Sequence, residues 1–149
     1  MNSQLINATN NPEQFFNLLP DDWKPFIVPY WEDYKDAAKI YVLKENEETV
    51  AGGLVFSTSL PDMSDFERSQ QHLFAEGYLY LGFIWVPLDK RNRQLASQWL
   101  TLLKNQDPTQ KYWLTIEEAW LKHFYEKNGF VLIEESNDAD NKEWLYTFS

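Results

Sequence analysis

The chain has 149 residues, 44% of them hydrophobic and 24% charged, and a formal net charge of −10. That is enough chain for one domain, expected to span 1–149, too apolar for disorder, and too acidic for a general nucleic-acid binder, which needs a basic face. Cysteine is absent and histidine stands only at His72 and His123, which excludes disulfides, thiol nucleophiles and zinc–thiolate sites and argues against any metal centre.

The opening MNSQLINATNNPEQ carries neither the basic nor the apolar stretch of a secretory signal. No run approaches the roughly 18 apolar residues of a membrane span. A cytoplasmic chain with no membrane partner is therefore expected. Aromatic residues make up 17% of the sequence. They are read either as core or as walls of a groove.

In chain order, Asn11-Pro12-Glu13-Gln14 reads as a helix start with a capping box, Phe15, Phe16, Leu18 and Leu19 as its apolar side, and Pro20 as its stop. A second, aromatic-rich helix is expected from Asp22 to about Tyr34, interrupted at Pro25 and Pro29. Ala38–Glu45 and Val50–Ser59 read as a hairpin joined by the polar NEET, with Gly52 and Gly53 marking a bulge or a close approach. The acidic excursion Leu60–Glu76 is either a binding loop or plain surface, with room for a short helix. Gly77–Val86 is apolar at nearly every position, as in a strand buried on both faces. The helix after it puts Leu95, Trp99 and Leu102 or Leu103 on one stripe. Lys111–Ile116 is the next strand and Glu117–Asn128 the next helix, with Gly129 at its C′ position. FVLIEE and EWLYTFS close the chain as strands. The order implies an α+β fold, a mixed central sheet of about six to seven strands with about four helices.

Two segments carry chemistry. In Val86–Ser97 a strand ends, Lys90, Arg91 and Arg93 follow, and a helix begins. Its first amides lack partners inside the helix and, with the dipole, can hold a phosphate or diphosphate, with Arg91 and Arg93 as added cations. The other reading is that the three cations are simply exposed. In Phe124–Phe130, Tyr125 is either an amphipathic packing residue or a phenol able to return a proton to a leaving thiolate.

Together V86-P-L-D-K-R91-N-R-Q94-L-A96-S97 and F124-Y125-E126-K127-N128-G129-F130 resemble the GNAT superfamily of acyl-CoA-dependent N-acyltransferases. The resemblance implies a GNAT fold with splayed central parallel strands and acetyl-CoA as co-substrate. The pantetheine arm would lie along Trp85 and Val86, and the diphosphate on Arg91, Asn92, Arg93, Gln94, Leu95, Ala96 and Ser97. A backbone N–H near Val86 would steady the oxyanion, and Tyr125 would be the general acid. The implied partner is an amine on a small molecule or a protein, a cationic one being favoured by the acidic balance; a homodimer is also expected. Gln94 stands where the family pattern has its first glycine, so its Cβ either crowds the diphosphate or is accommodated by a negative φ, as within a helix. Glu118 stands near the place of an asparagine often found there. For the general base the candidates are Glu76, Asp89, Glu117 and His72. The alternative reading is a GNAT-fold protein without catalysis, binding an acyl-CoA or a protein partner. A third is an aromatic-rich interaction domain.

Overall fold

Alternation of apolar and polar residues makes Ala38–Glu45 a strand with Ala38, Ile40 and Val42 buried on one side. Asn46 and Glu47 then turn the chain with φ of +52° and +70°, the left-handed pair that a tight hairpin turn requires. The computed structural model describes residues 3–149. Within them seven strands run β1 Ser3–Asn7, β2 Ala38–Glu45, β3 Glu48–Phe56, β4 Tyr78–Trp85, β5 Lys111–Ile116, β6 Val131–Glu135 and β7 Trp144–Phe148. Six helices are α1 Glu13–Phe16, α2 Trp31–Tyr34, α3 Asp65–Arg68, α4 His72–Ala75, α5 Leu95–Gln106 and α6 Leu121–Lys127. The strand order is β1-β2-β3-β4-β5-β7-β6, mixed as expected.

The chain divides into two compact units, one of residues up to Phe56 with Leu81–Pro108, the other of Ser57–Tyr80 with Thr109–Ser149. In the first unit, β3 is buried at every position from Val50 to Phe56. The glycine pair explains how. A Cβ on Gly52 would run into the Phe15 ring of α1, and one on Gly53 would lie 2.8 Å from the Trp99 ring of α5. Successive strand residues face opposite ways, so the two glycines admit a ring on each side of the strand. Close approach is thus their role; the bulge lies just before them in β3, where Val50 is the extra residue opposite the Leu43–Lys44 step of β2. Trp99 is fully buried and donates its indole N–H to the Tyr41 carbonyl at 2.9 Å. Leu95, Leu100 and Leu103 complete the buried stripe of α5.

Several elements differ from the sequence reading. Ser3–Asn7 forms an edge strand paired with β2, though its polar residues gave no strand signal. The capping box at Asn11 does not form: Pro12 occupies the N-cap without a side-chain bond. Pro25 and Pro29 break the expected long helix into two 3-10 turns, Lys24–Phe26 and Val28–Tyr30, before the short α2. β4 is mostly half-buried, with only Leu81 buried. Phe83 within it has φ +56°, a left-handed residue that kinks the strand and aims its ring at Trp23, 6.1 Å away, and Phe56, 6.4 Å away.

In the second unit, β4 begins parallel to β5 in three register pairs only, Tyr78–Tyr80 against Lys111–Trp113, although β5 runs on to Ile116. β7 is antiparallel to β5 over its whole length and β6 pairs only with β7. The edge strand β6 is exposed at all five positions and bulges between Leu132 and Glu134.

Candidate active site

In the first unit the turn Pro87–Gln94 leads into α5. Pro87 stops β4, a 3-10 turn covers Leu88–Lys90, and Asn92 and Gln94 both take left-handed backbone, φ +66° and +58°. Gln94 is the N-cap of α5 and no side chain caps the helix there. Gln94 therefore has the backbone conformation a glycine would adopt; the negative φ considered from sequence is not what the chain uses, because the turn from Arg91 must reverse hand to enter the helix. The alternating hands at 92 and 94 form a concave run of amides, continued by the amides of Leu95 and Ala96 in the first turn of α5.

The three cations face elsewhere. Lys90 pairs with Glu48 at 2.9 Å and Arg93 with Glu45. The Arg91 guanidinium lies over the Trp85 ring, 4.7 Å from its centroid, and its Nε donates to the Val86 carbonyl at 3.0 Å. Trp85 also meets Trp23 edge-on at 5.0 Å. Two of the cations thus hold the end of the β2–β3 hairpin and the third stiffens the turn itself. The anion-binding capacity of this segment rests on its amides.

In the second unit, α6 is closed by a Schellman motif. Phe130 N–H donates to the Tyr125 carbonyl at 3.0 Å, and Gly129, φ +90°, donates to the Glu126 carbonyl at 3.1 Å. Gly129 is at C′ as expected. The helix starts at Leu121 rather than Glu117, and Trp120 stands outside it, 73% exposed, with its indole N–H on Glu118. Tyr125 is buried among the rings of Phe124, Phe130 and Tyr146 at 4.9, 5.6 and 6.4 Å. Burial pushes its hydroxyl up to about 12, so it is a fully protonated phenol at neutral pH.

The base candidates read from sequence all lie at the surface. His72 at the start of α4 and Glu76 at its C-cap are exposed and 3.8 Å apart, Asp89 is 3.9 Å from Lys90, and Glu117 is exposed. A different carboxylate reaches the sheet. Glu67 of α3 accepts from the Ser64 N–H at 3.0 Å through Oε1, and from the hydroxyls of Tyr80 at 3.0 Å and Thr115 at 2.6 Å through Oε2. The Ser64 hydroxyl accepts from the Glu67 N–H, completing a capping box, and donates to Glu143 at 2.8 Å. Burial, then the Glu67 carboxylate beyond Ser64, raises the Glu143 carboxyl. Tyr80 is raised far above an ordinary phenol, first by burial and then by Glu67. The one sequence signal here is Ser64-x-x-Glu67, a capping-box spacing inside the acidic excursion, which marks the start of α3 but not the hydroxyl partners of Glu67.

No family model matches the chain, and no curated protein does. Solved structures match over nearly its whole length. Against a GNAT family acetyltransferase from Elizabethkingia anophelis with acetyl-CoA bound, the TM-score is 0.65 at 16% identity, covering 99% of this chain and 98% of the other. The chain has the GNAT fold. Aminoglycoside 6'-acetyltransferase type Ii matches at a TM-score of 0.70 and 14% identity, over 100% and 97% of the two chains. Arabidopsis thaliana Naa50, in complex with the bisubstrate analogue CoA-Ac-MVNAL, matches at 0.61 and 13%, over 100% and 99%. At these identities the likeness is one of fold alone. Among the described residues no helix is long and apolar enough to cross a membrane, and no group of three or more His, Cys, Asp or Glu could hold a metal ion.

Proposed function

We propose that the chain is an N-acetyltransferase, one domain over 1–149, that moves the acetyl group of acetyl-CoA to a primary amine. The observation that carries this reading is the uncapped, left-handed entry to α5 at Asn92 and Gln94, on the GNAT fold. In the first unit the amides of Asn92–Ala96, with Ser97 beside them, would hold the diphosphate, and the Trp85–Val86 strand end would lie beside the pantetheine arm. Bound acetyl-CoA supplies the thioester that the amine attacks. In the second unit Tyr125, protonated and sheltered from water, gives its proton to the departing thiolate. The solved neighbours whose names mention an aminoglycoside and a peptide-bearing bisubstrate analogue support an amine acceptor on a small molecule or a peptide. The charge of −10 favours a cationic one.

The second reading, a GNAT-fold binder without turnover, is favoured by the commitment of Lys90 and Arg93 to Glu48 and Glu45, which leaves the diphosphate to backbone amides. Titration with acetyl-CoA separates the readings. Acetyl-CoA at 100 times its Kd stabilises the native state by about 2.7 kcal/mol, a clear rise in melting temperature. Parent and Tyr125→Phe are expected to show the same rise. The parent is expected to release CoA in the presence of amines, and the variant at a rate lower by about 100-fold. A rise without CoA release selects the binder; no rise with acetyl-CoA or CoA defeats both.

A further inference from the structure

Among the carboxylates of the second unit, Glu67 is the one the fold carries from a surface excursion onto the sheet. Its two hydroxyl donors lie where the parallel ladder ends: Tyr80 is in the last register pair, opposite Trp113, and Thr115 is two residues further along β5. The groups that face it are Tyr80 from β4, Thr115 from β5 and, through the Ser64 hydroxyl, Glu143 from the approach to β7. Among the described residues no cation pairs with it. Tyr125 lies close enough to act on the same Tyr80 hydroxyl. A half-buried carboxylate held by neutral hydroxyls, with acidic company and no counter-ion, is complementary to a cation that can also give up a proton.

A primary amine, with an ordinary pKa of about 10, arrives as an ammonium ion with no lone pair for attack. We propose that Glu67 takes the proton from the acceptor amine, an assignment that rests on the acetyl-transfer reading above. The ammonium N–H bond breaks and an O–H bond forms on Glu67. The freed lone pair bonds to the thioester carbon, and the carbon–sulfur bond breaks. The second nitrogen proton leaves to water, the thiolate takes the Tyr125 proton, and Tyr125 recovers one from water. Glu67 gives its proton to solvent, so one proton is released per acetyl group moved.

The test compares parent and Glu67→Gln, with acetyl-CoA and a panel of spermidine, an aminoglycoside and a peptide with a free amino terminus. Glutamine keeps the size of the side chain, and the Tyr80 and Thr115 hydroxyls can rotate to accept from its amide. The expected result is a loss of about 100-fold in kcat/KM for the amine at neutral pH, recovered as pH rises towards the amine's own pKa of about 10, and an unchanged melting-temperature rise with acetyl-CoA. An active parent whose Gln variant keeps its rate within about twofold at neutral pH overturns the assignment and leaves acetyl transfer standing. A parent that turns over none of the amines overturns both. If Glu67→Gln does not fold, Tyr80→Phe decides, because it removes one donor from the carboxylate and keeps the carboxylate. A fall in kcat/KM for the amine with the acetyl-CoA response kept supports the assignment, and an unchanged kcat/KM overturns it.

Discussion

Gln94 holds a conformation that costs a residue with a Cβ about 1 kcal/mol relative to glycine. Gln94→Gly is therefore expected to raise the melting temperature by about 2–4 °C in a chain of this size. It should also tighten acetyl-CoA binding, since no Cβ then stands over the amides. Thermal scans and calorimetry check the two halves, and an unchanged melting temperature would mean that contacts of the Gln94 side chain offset the strain. At this scale residue types were legible and conformations were not. The motif shows Gln94 in a glycine's place, but the hand of its backbone depends on how the Asn92 turn meets α5. Tyr125 was legible as a phenol on a helix, whereas its burial depends on Tyr146, 21 positions further along the chain.

The packing of α5 on the β2–β3 hairpin is set by glycine. With the Trp99 ring fixed by its bond to the Tyr41 carbonyl, Gly53→Ala forces strand and helix apart and is expected to cost about 1–3 kcal/mol. Urea unfolding checks this as a lower midpoint with the slope retained; an unchanged midpoint would show that the ring can yield. The elements legible in the sequence were β2 and the Leu95–Trp99–Leu103 stripe of α5, each with a strong period, and β5, whose Tyr112, Trp113 and Leu114 form a short apolar run buried on both faces. β1 was missed because Ser3, Gln4 and Asn7 obscure its alternation. The expected helix over Asp22–Tyr34 had the apolar content but not the backbone, since each proline removes a donor and crowds the turn before it. The double-sided burial expected of β4 belongs to β3, where the glycines admit rings on both faces.

Over the whole molecule the charge of −10 is not relieved at the α5 turn, whose Lys90 and Arg93 are already paired. Acetyl-CoA is itself an anion, so its association is expected to speed up as ionic strength rises from about 0.02 to 0.2 M, while association of a cationic amine slows over the same range. Stopped-flow rates check the signs; acetyl-CoA slowing with salt would require a basic approach path. Long-range pairing is also why the Glu67 cluster escaped the sequence reading: its partners are 13 and 48 residues away, beyond any spacing rule. At the far rim of the sheet, β6 shows solvent a row of Val131, Leu132 and Ile133, with Ile133 56% exposed. Such a rim invites stacking of one molecule on the next into fibres. The bulge beside Leu132 and the Lys142–Glu135 pair interrupt that rim, so an incoming chain meets no flat template along the last hairpin.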